Sequence, residues 1–354
     1  MYIEVTATPN LDVVQDYHNY TSDSQRHEAK APTYTTTGNV EFYTCTGCDK
    51  LYVKNGESFV ETSVEDIVLP TLKYETELSG VSLNLGKDLS IRYHITISEG
   101  EDIEDFAIRF TMNNETVTVS DFSVDKEIGK YVFSYCGIAP QCMGDSISAE
   151  LLKNGEVIDT KEDYSVKQYV IDALALYPDY AELCQLLSDL LYYGAAAQEY
   201  TDYKTGALVT DGVDLSAASD VTPTEDDNKK SATDAVGDVY FTAAGVRFDY
   251  TNHIYVKLNA PSIDGVTVSV NGKNLVLSQT SNPNEYVAYS GAISSLWFGE
   301  EITFTLSVDG IEVQTLVYTV NDYAYSKHSN GTIGELALAL YRYGKSAIAY
   351  DATL

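Results

Sequence analysis

The clearest pattern of apolar and polar positions in this chain lies in residues 178–200. Apolar side chains recur there at steps of three and four, at Leu183, Leu187, Leu190 and Ala197 among others. This spacing predicts a helix with one broad apolar face, entered through a proline in its first turn. Because such a face does not stay in water, we expect the helix to be part of a domain core, packed on the sandwich that precedes it.

The end of the chain repeats this pattern over residues 334–350. The two stretches align on matching residues: Tyr193 on Tyr343, Gly194 on Gly344, Ala197 on Ala347 and Tyr200 on Tyr350. A match of this kind is typical of a tandem repeat. This match indicates the architecture of the protein but does not identify a ligand.

Residues 74–164 consist of short runs in which apolar and polar residues alternate, separated by Gly, Asn and Asp. This period of two indicates an antiparallel β-sandwich. The second copy begins near Asp238 and repeats the same order. We align its residues on the first copy as follows: Gly245 on Gly80, Ile254 on Leu89, the turn Asn271-Gly272 on Asn113-Asn114, and Asp309-Gly310 on Asn154-Gly155. Both pairs of turns are expected to close two-residue hairpins.

We therefore predict a mainly β protein with tandem antiparallel, Ig-like β-sandwich repeats, each followed by C-terminal α-helix, and a small N-terminal β unit. The predicted boundaries are residues 1–70 for the small knuckle-like unit, 71–203 for the first sandwich with two helices, 204–236 for a polar linker, and 237–354 for the second sandwich with its helix. The second copy lacks most of the first helix. We expect the linker to be solvated, because it has no apolar periodicity. We expect each copy to fold independently, because each contains its full set of strands and its own helix.

The net charge of the chain disfavours some classes of binding partner. The chain has 53 acidic and 22 basic residues, a net charge of -31, so its surface repels phosphate backbones and anionic lipid head groups. We expect no nucleic-acid partner and no membrane insertion in this segment. No apolar run approaches the roughly 20 residues of a membrane helix, and the start MYIEVTATPN has no leader pattern, which indicates a mature or excised segment.

Three phrases carry a resemblance to a known family: GIAPQCMGDSI, DLLYYGAAAQEY, and AKAPTYTTTGN with CTGC. With them, most of the chain resembles the repeat modules of large multidomain cell-surface proteins of anaerobic Gram-positive gut bacteria. The resemblance implies a non-enzymatic, exported scaffold or binding array. In that family the short module usually has a Cys where this chain has Tyr34. The high content of Tyr, Thr, Ser, Asn and Asp with little Lys also favours an extracellular protein, secreted or at the cell surface.

The N-terminal unit contains half of a possible zinc site. Cys45 and Cys48 form a C-x2-C, with His27 and His18 upstream, and thiolate and imidazole are ligands that zinc prefers. A second C-x2-C is missing from the sequence. Two interpretations stay open: zinc held by His27, Cys45 and Cys48, or a hairpin whose cysteines are reduced or disulfide-linked. We predict no other cofactor.

The other three cysteines do not form a disulfide framework. Cys136 and Cys142 flank the turn GIAP and either form a bridge or remain two thiols. Cys184 falls within the apolar face of the predicted helix, so we interpret it as a small core side chain.

The sequence also lacks the motifs of activated nucleophiles and metalloproteases, G-x-S-x-G and H-E-x-x-H. With five His in all, little is left for general base catalysis. We therefore predict that the protein is not an enzyme.

Aromatic residues are the remaining candidates for a functional role, and the chain has 29 Tyr, 10 Phe and one Trp. Trp297 and Phe298 are the candidate ligand-binding residues, because they lie in the loop GAISSLWFGEE. Such a loop either presents its rings to a ligand or is held against the core by them.

We expect a non-catalytic binding or adhesion module that engages a host or cell-surface protein through Tyr-rich faces and loops. An immunoglobulin is one concrete candidate for this partner. The alternatives are a carbohydrate-binding module and a passive spacer repeat.

Overall fold

The computed structural model describes residues 25–33, 36–72, 76–86, 88–126, 128–248 and 251–354. Over these residues the protein is mainly β, with 23 strands in six antiparallel sheets and five α-helices, which confirms the predicted fold class of tandem sandwiches. The alternating run YIEVTAT at residues 2–8 predicts a strand, and it lies outside the described ranges. None of the helices in the described ranges is long and apolar enough to cross a membrane.

The chain divides into two compact units. One comprises residues 1–75 with 156–158, and the other comprises residues 76–155 with 159–354. Both sandwich copies therefore belong to the same unit.

The first unit has a very small core. Its elements are β1 (Arg26–His27), β2 (Gly38–Asn39), β3 (Phe42–Thr44), β4 (Leu51–Asn55), β5 (Ser58–Thr62), α1 (Val64–Ile67) and β6 (Val68–Leu69), which form one sheet in the order β1-β3-β4-β5 and a pair β2-β6. Tyr43, Cys45 and Tyr52 are buried together, and Phe59 packs on them with its ring 4.9 Å from that of Tyr43. So few apolar side chains limit the stability that burial can supply.

The first sandwich begins after this unit. Its strands are β7 (Glu77–Leu85), β8 (Leu89–Thr96), β9 (Phe106–Met112), β10 (Glu115–Val119), β11 (Ser123–Asp125), β12 (Lys130–Tyr135), β13 (Ile147–Lys153) and β14 (Glu156–Tyr164), in two sheets ordered β11-β12-β8-β7 and β10-β9-β13-β14. Along β9, Phe106, Ile108 and Phe110 point into the core, as the alternating pattern predicts. The ring of Phe110 lies 5.3 Å from that of Tyr93 on β8 and so joins the two sheets.

The second sandwich repeats this plan. Its strands are β15 (Ser231–Ala232), β16 (Tyr240–Phe248), β17 (Asn252–Asn259), β18 (Val266–Val270), β19 (Lys273–Asn274), β20 (Ser278–Gln279), β21 (Glu285–Tyr289), β22 (Ile302–Val308) and β23 (Ile311–Tyr318), in sheets ordered β15-β23-β22-β18-β19 and β16-β17-β21-β20. All four predicted hairpin turns have positive φ at both central residues: Asn113 52° and Asn114 66°, Asn154 50° and Gly155 85°, Asn271 51° and Gly272 74°, Asp309 51° and Gly310 78°. These values are those that tight two-residue hairpins require.

One part of the alignment between the copies is wrong by two residues. The irregularity in β7 lies between Leu78 and Gly80, and its counterpart in β16 lies between Phe241 and Ala243. Likewise, the loop after β12 bonds back to Leu89, and the loop after β21 bonds back to Asn252. Gly80 therefore corresponds to Ala243 and not to Gly245, and Leu89 corresponds to Asn252 and not to Ile254. The sequence could not show this, because a shift of two residues leaves every strand position on the same face.

Four helices complete this unit: α2 (Val166–Leu176), α3 (Ala181–Thr201), α4 (Val320–Lys327) and α5 (Gly331–Asp351). The predicted helix is confirmed as α3. The prediction that the second copy lacks most of the first helix is wrong, because α4 has eight residues where α2 has eleven. Leu187, Leu190 and Leu191 are buried, as predicted. However, α3 packs on α5 as well as on its own sandwich. The two repeated helices cover each other because each has the same apolar face, and an isolated copy would expose that face to water.

The glycines of the two helices have the same role. A Cβ atom on Gly194 would lie 2.8 Å from Sδ of Met143, and one on Gly344 would lie 2.5 Å from Cδ2 of Phe298. Met143 and Phe298 each follow a 3₁₀ turn of their own sandwich, Pro140–Cys142 and Ser295–Trp297. Only a residue without a side chain lets the turn approach the helix this closely.

Residues 204–236, which we call the strap, are anchored to the second unit at several positions, although most of their side chains are exposed. Val209 and Leu215 are buried, and the Ser219 amide donates to the Asp189 carboxylate of α3 at 2.9 Å. Asp227 accepts from Tyr341 and Lys345 of α5 at 2.9 and 3.0 Å. The expectation of a solvated linker is therefore wrong for these positions. The few apolar residues of the strap are too irregularly spaced to give a periodic signal.

Candidate binding groove

The structure does not bring the predicted zinc ligands into a metal-binding arrangement. The Nε2 atom of His27 lies 2.8 Å from the Thr44 hydroxyl, and its ring stacks on Phe42 with centroids 4.3 Å apart. Cys45 is buried, whereas Cys48 is exposed. Among the described residues, no group of three or more His, Cys, Asp or Glu is arranged to hold a metal ion. His18 lies outside those residues, so zinc stays a prediction.

The remaining cysteines have separate places in the second unit. Cys136 is exposed and Cys142 is half-buried, and both are thiols. Burial raises the pKa of both thiols, and nearby Asp88 and Asp145, respectively, add to the effect. Cys184 is buried on α3, where a core side chain was predicted.

The two predicted ligand-binding residues, Trp297 and Phe298, face opposite ways. Trp297 is 53% exposed, whereas Phe298 is 1% exposed. The ring of Phe298 lies edge-on to Tyr343 of α5, with centroids 6.4 Å apart. Phe298 therefore pins the loop to the core, and Trp297 alone of the two is presented to solvent. Trp297 borders an open groove of about 390 Å³, with Asn271, Glu300 and Glu301 also in its wall.

A larger groove of about 610 Å³ lies on the second copy, where the end of α3 meets the sheet of β16, β17 and β21 and the helices α4 and α5. We call it the aromatic groove. Its lining residues are Tyr200, Val246, Arg247, Phe248, Tyr255, Lys257, Thr280, Val287, Tyr289, Tyr323, Lys327, Asn330 and Ile333. Because Tyr200 comes from the helix of the first copy, the complete groove requires both copies.

Strand alternation positions the groove's side chains. Tyr255 and Lys257 stand on one face of β17, with Tyr289 beside Tyr255 on the paired strand β21. The rings of Tyr255 and Tyr289 are 6.3 Å apart and tilted by 58°. At the helical side, Phe248 lies 5.6 Å from Tyr323. The result is a set of rings inclined to one another.

Three cations line this aromatic surface. The Arg247 guanidinium lies 5.2 Å from the centre of the Tyr289 ring, a cation–π distance. The Lys257 ammonium donates to the Glu285 carboxylate at 3.1 Å. Lys327 ends α4. Glu285 accepts in addition from Thr280 and Asn282, and these hydrogen bonds, with that of Lys257, lower its pKa.

Tyr323 forms the buried end of the groove. Burial raises its pKa to about 12, with Tyr200 and Tyr255 adding to the effect, so the phenol stays neutral and can donate a hydrogen bond at physiological pH. Together with the cations, it gives the groove hydrogen-bond donors over an apolar floor. Such a surface suits binding by contact area, hydrogen bonds and charge.

The sequence alone does not reveal the aromatic groove. Its residues come from a helix end, three strands and two helices, which are far apart along the chain. Two signals were present: Tyr255 and Lys257 alternate on one strand, and Tyr200 recurs at Tyr350. Neither signal shows which strand face is left uncovered, because that depends on how the helices pack on the sheet.

No protein-family model matches the chain, and no curated protein matches it. Its own residues are therefore the basis for a functional proposal.

Proposed function

We propose that the protein is a non-catalytic binding module of a bacterial surface protein and that it engages a host or cell-surface protein through the aromatic groove. The observation that carries this proposal is the groove itself, with four tyrosines and three cations around about 610 Å³ of open space. Tyrosine offers large contact area and a hydroxyl group at a low cost in conformational entropy, which is why it is frequent in binding surfaces. An immunoglobulin is one partner to test, and an extracellular location agrees with the composition.

The test begins with a panel of host extracellular proteins that includes immunoglobulin. The whole labelled chain is applied to the panel, and any partner is measured again with Tyr289→Ala and with Tyr192→Ala. Tyr289 lies in the groove and is 36% exposed, whereas Tyr192 lies on α3 outside the groove's lining and is 46% exposed. We expect Tyr289→Ala to weaken binding by about tenfold or more, as for a binding hot spot, and Tyr192→Ala to have no effect.

Retention of full affinity in Tyr289→Ala, and in the double variant with Tyr200→Ala, would show that the partner binds elsewhere. Thermal unfolding of each variant checks that the fold is intact. If no protein of the panel binds, the result would favour the alternative that the chain is a passive spacer repeat.

A second candidate function is carbohydrate binding at Trp297, favoured by the exposure of this ring beside Asn271, Glu300 and Glu301. A flat indole ring with amide and carboxylate neighbours can stack on a sugar and accept from its hydroxyl groups. Because Trp297 is the chain's single Trp, its fluorescence reports on this groove alone. A glycan from an array that shifts the emission would support this function, and an unchanged emission on saturation would exclude contact with Trp297.

A further inference from the structure

The groove beside Trp297, which we call the Trp297 groove, combines apolar side chains with two carboxylates. Its volume is about 390 Å³. Trp297, Glu300 and Glu301 line it, and all three side chains are exposed. Its apolar lining residues are Val270, Ala292, Ile293 and Ile302. The described lining residues of this groove and of the aromatic groove have no member in common.

The two carboxylates of the Trp297 groove are not neutralised by the protein itself. Within the described ranges, neither Glu300 nor Glu301 forms an ion pair or a side-chain hydrogen bond. By contrast, Glu285 of the same sandwich is paired with Lys257 at 3.1 Å. Both negative charges are therefore available to a ligand, and they favour a cationic one.

The corresponding place in the first copy binds a cation. Glu300 is the counterpart of Asp145, because each comes three residues after the end of the 3₁₀ turn of its own sandwich. The Asp145 carboxylate accepts from the Lys204 ammonium at 2.6 Å. The same ammonium lies 5.1 Å from the centre of the Tyr203 ring, a cation–π distance. With these partners Asp145 is buried, whereas Glu300 is exposed.

The second copy keeps the carboxylate and an aromatic ring but not the lysine. Glu300 and Trp297 line the same groove, and Glu301 adds a second carboxylate. In the alignment of the two helices, Leu354 falls on Lys204. None of the described residues that line the Trp297 groove is basic. A cation that binds there is therefore supplied by a partner.

We infer that the Trp297 groove binds a lysine or arginine side chain of a basic peptide segment. The cationic head lies over the Trp297 ring and pairs with Glu300 and Glu301, while the methylene stem packs on the apolar lining. Tryptophan is the aromatic side chain that attracts a cation most strongly. A long basic side chain can bury its stem on apolar surface while its head bonds to carboxylates. This site is separate from the aromatic groove, so the inference does not rest on the proposed function.

The inference is tested on the whole chain through the emission of its single Trp. The probe is an octapeptide of alternating Lys and Ala, and its counterparts have Gln or Glu in place of Lys. Cellohexaose tests a neutral sugar. Binding is measured at low and at physiological salt. The groove variants are Glu300→Gln alone and together with Glu301→Gln, and the matched control is Glu312→Gln, an exposed glutamate on β23 outside the groove's lining.

We expect the Lys peptide to shift the emission of Trp297. The Gln and Glu peptides should bind at least about tenfold more weakly, because neither can pair with the two carboxylates. Glu300→Gln should weaken the Lys peptide about threefold and the double variant about tenfold, as for exposed ion pairs, and added salt should weaken it further. Glu312→Gln should match the parent chain.

The contribution of the indole ring is measured separately, because its removal also removes the emission signal. Isothermal titration calorimetry compares the Lys peptide on the parent chain and on Trp297→Leu. We expect the variant to bind about threefold more weakly, the factor that an exposed cation–π contact can supply. Equal affinity would show that the cation does not lie over the ring.

Three further outcomes would overturn the inference. Equal affinity for the Lys and Gln peptides would show that the groove does not select a cation. An equal effect of Glu300→Gln and Glu312→Gln would show that only the net charge of the chain attracts the peptide. An emission that the Lys peptide leaves unchanged at saturation would exclude contact with Trp297, and a shift with cellohexaose would then favour sugar binding. None of these outcomes bears on the aromatic groove, whose test uses Tyr289→Ala, so the two proposals fail separately.

Discussion

The rings of Tyr193 and Tyr343 lie parallel in a stacked arrangement, with centroids 5.8 Å apart and planes within 7° of parallel. These tyrosines occupy the same place in the two copies, each directly before the helix glycine. A residue that meets its own counterpart is the mark of an interface related by a two-fold axis. The two repeats therefore pair through one self-complementary surface, like two subunits of a homodimer joined in one chain.

Because the two copies pair in this way, we no longer expect each copy to fold independently. The Tyr193 hydroxyl donates to Asn252 of the other copy at 3.1 Å, and the strap holds both helices through Asp189 and Asp227. Hydrogen bonds and apolar burial across the copies favour unfolding of the paired repeats as one cooperative unit.

Leu187→Ala should lower the free energy of unfolding by about 2 to 5 kcal/mol, because it leaves a cavity in a packed core. Leu187 is 1% exposed, in the helix that packs against both its own sandwich and α5. Urea unfolding followed by circular dichroism measures the loss. Tyr192→Ala, on the exposed face of the same helix, is the control and should change little. A Leu187→Ala variant that unfolds at the parent's midpoint would show that this face is not a core.

Gly344→Ala should lower the free energy of unfolding by about 1 to 3 kcal/mol, because overpacking forces a buried neighbour to move. The new methyl group would overlap the buried ring of Phe298. The matched control is Gly206→Ala in the strap, where an added Cβ meets nothing within 4 Å. Differential scanning calorimetry compares the two variants, and equal melting temperatures would contradict the close contact between turn and helix.

Asp189 should make the pairing of the copies sensitive to pH. Its carboxylate is buried between α3 and α5 and accepts from Ser346 and from the Ser219 amide. Burial raises its pKa, and the hydrogen bonds offset only part of this rise. Between the unfolded value of about 3.9 and the raised folded value, the folded protein binds more protons than the unfolded one. The contribution of Asp189 to the free energy of unfolding therefore falls as pH rises through this window.

Asp189→Asn removes this contribution, so the stability of the variant relative to the parent should improve as pH rises from about 4 toward 7. Urea midpoints at intervals of one pH unit measure the difference. Asp226→Asn, which changes an exposed carboxylate in the strap, controls for the loss of charge. A difference that is constant with pH, or that moves the other way, would count against a raised pKa at Asp189.

Metal content tests the zinc interpretation of the first unit. If His27, Cys45 and Cys48 hold zinc with a fourth ligand, the purified protein should contain about one zinc ion per chain, because structural zinc takes four ligands and binds as the unit folds. Elemental analysis after purification without chelators gives the zinc content, and Cys45→Ser should remove the metal. A zinc content near zero would contradict the zinc interpretation.

Much of the fold follows from local patterns. Alternation along β9 and the Asn and Gly residues of the hairpins are read directly from sequence, since strand faces and positive φ depend on near neighbours. The helix α3 was predicted for the same reason. The packing of α5 on α3 was not predicted, because an apolar face indicates that another element covers it but does not identify that element.

The candidate site shows the same limit more strongly. Trp297 was found because a single Trp in a loop is conspicuous, but the inward direction of Phe298 depends on a glycine 46 positions away, Gly344. The aromatic groove depends on Tyr200 from one copy reaching the sheet of the other. Contacts of that kind come from the pairing of the repeats, which no local pattern encodes.

Hydrogen exchange of the whole chain, with and without a captured protein partner, tests the central claim most directly, because it maps protection along the backbone. We predict slower exchange on binding in peptides that cover β16 and β17, β21 and the junction of α4 with α5, around Tyr289 and Lys327. Protection confined to the loop around Trp297, or to the first sandwich, would contradict the claim that the aromatic groove is the binding surface.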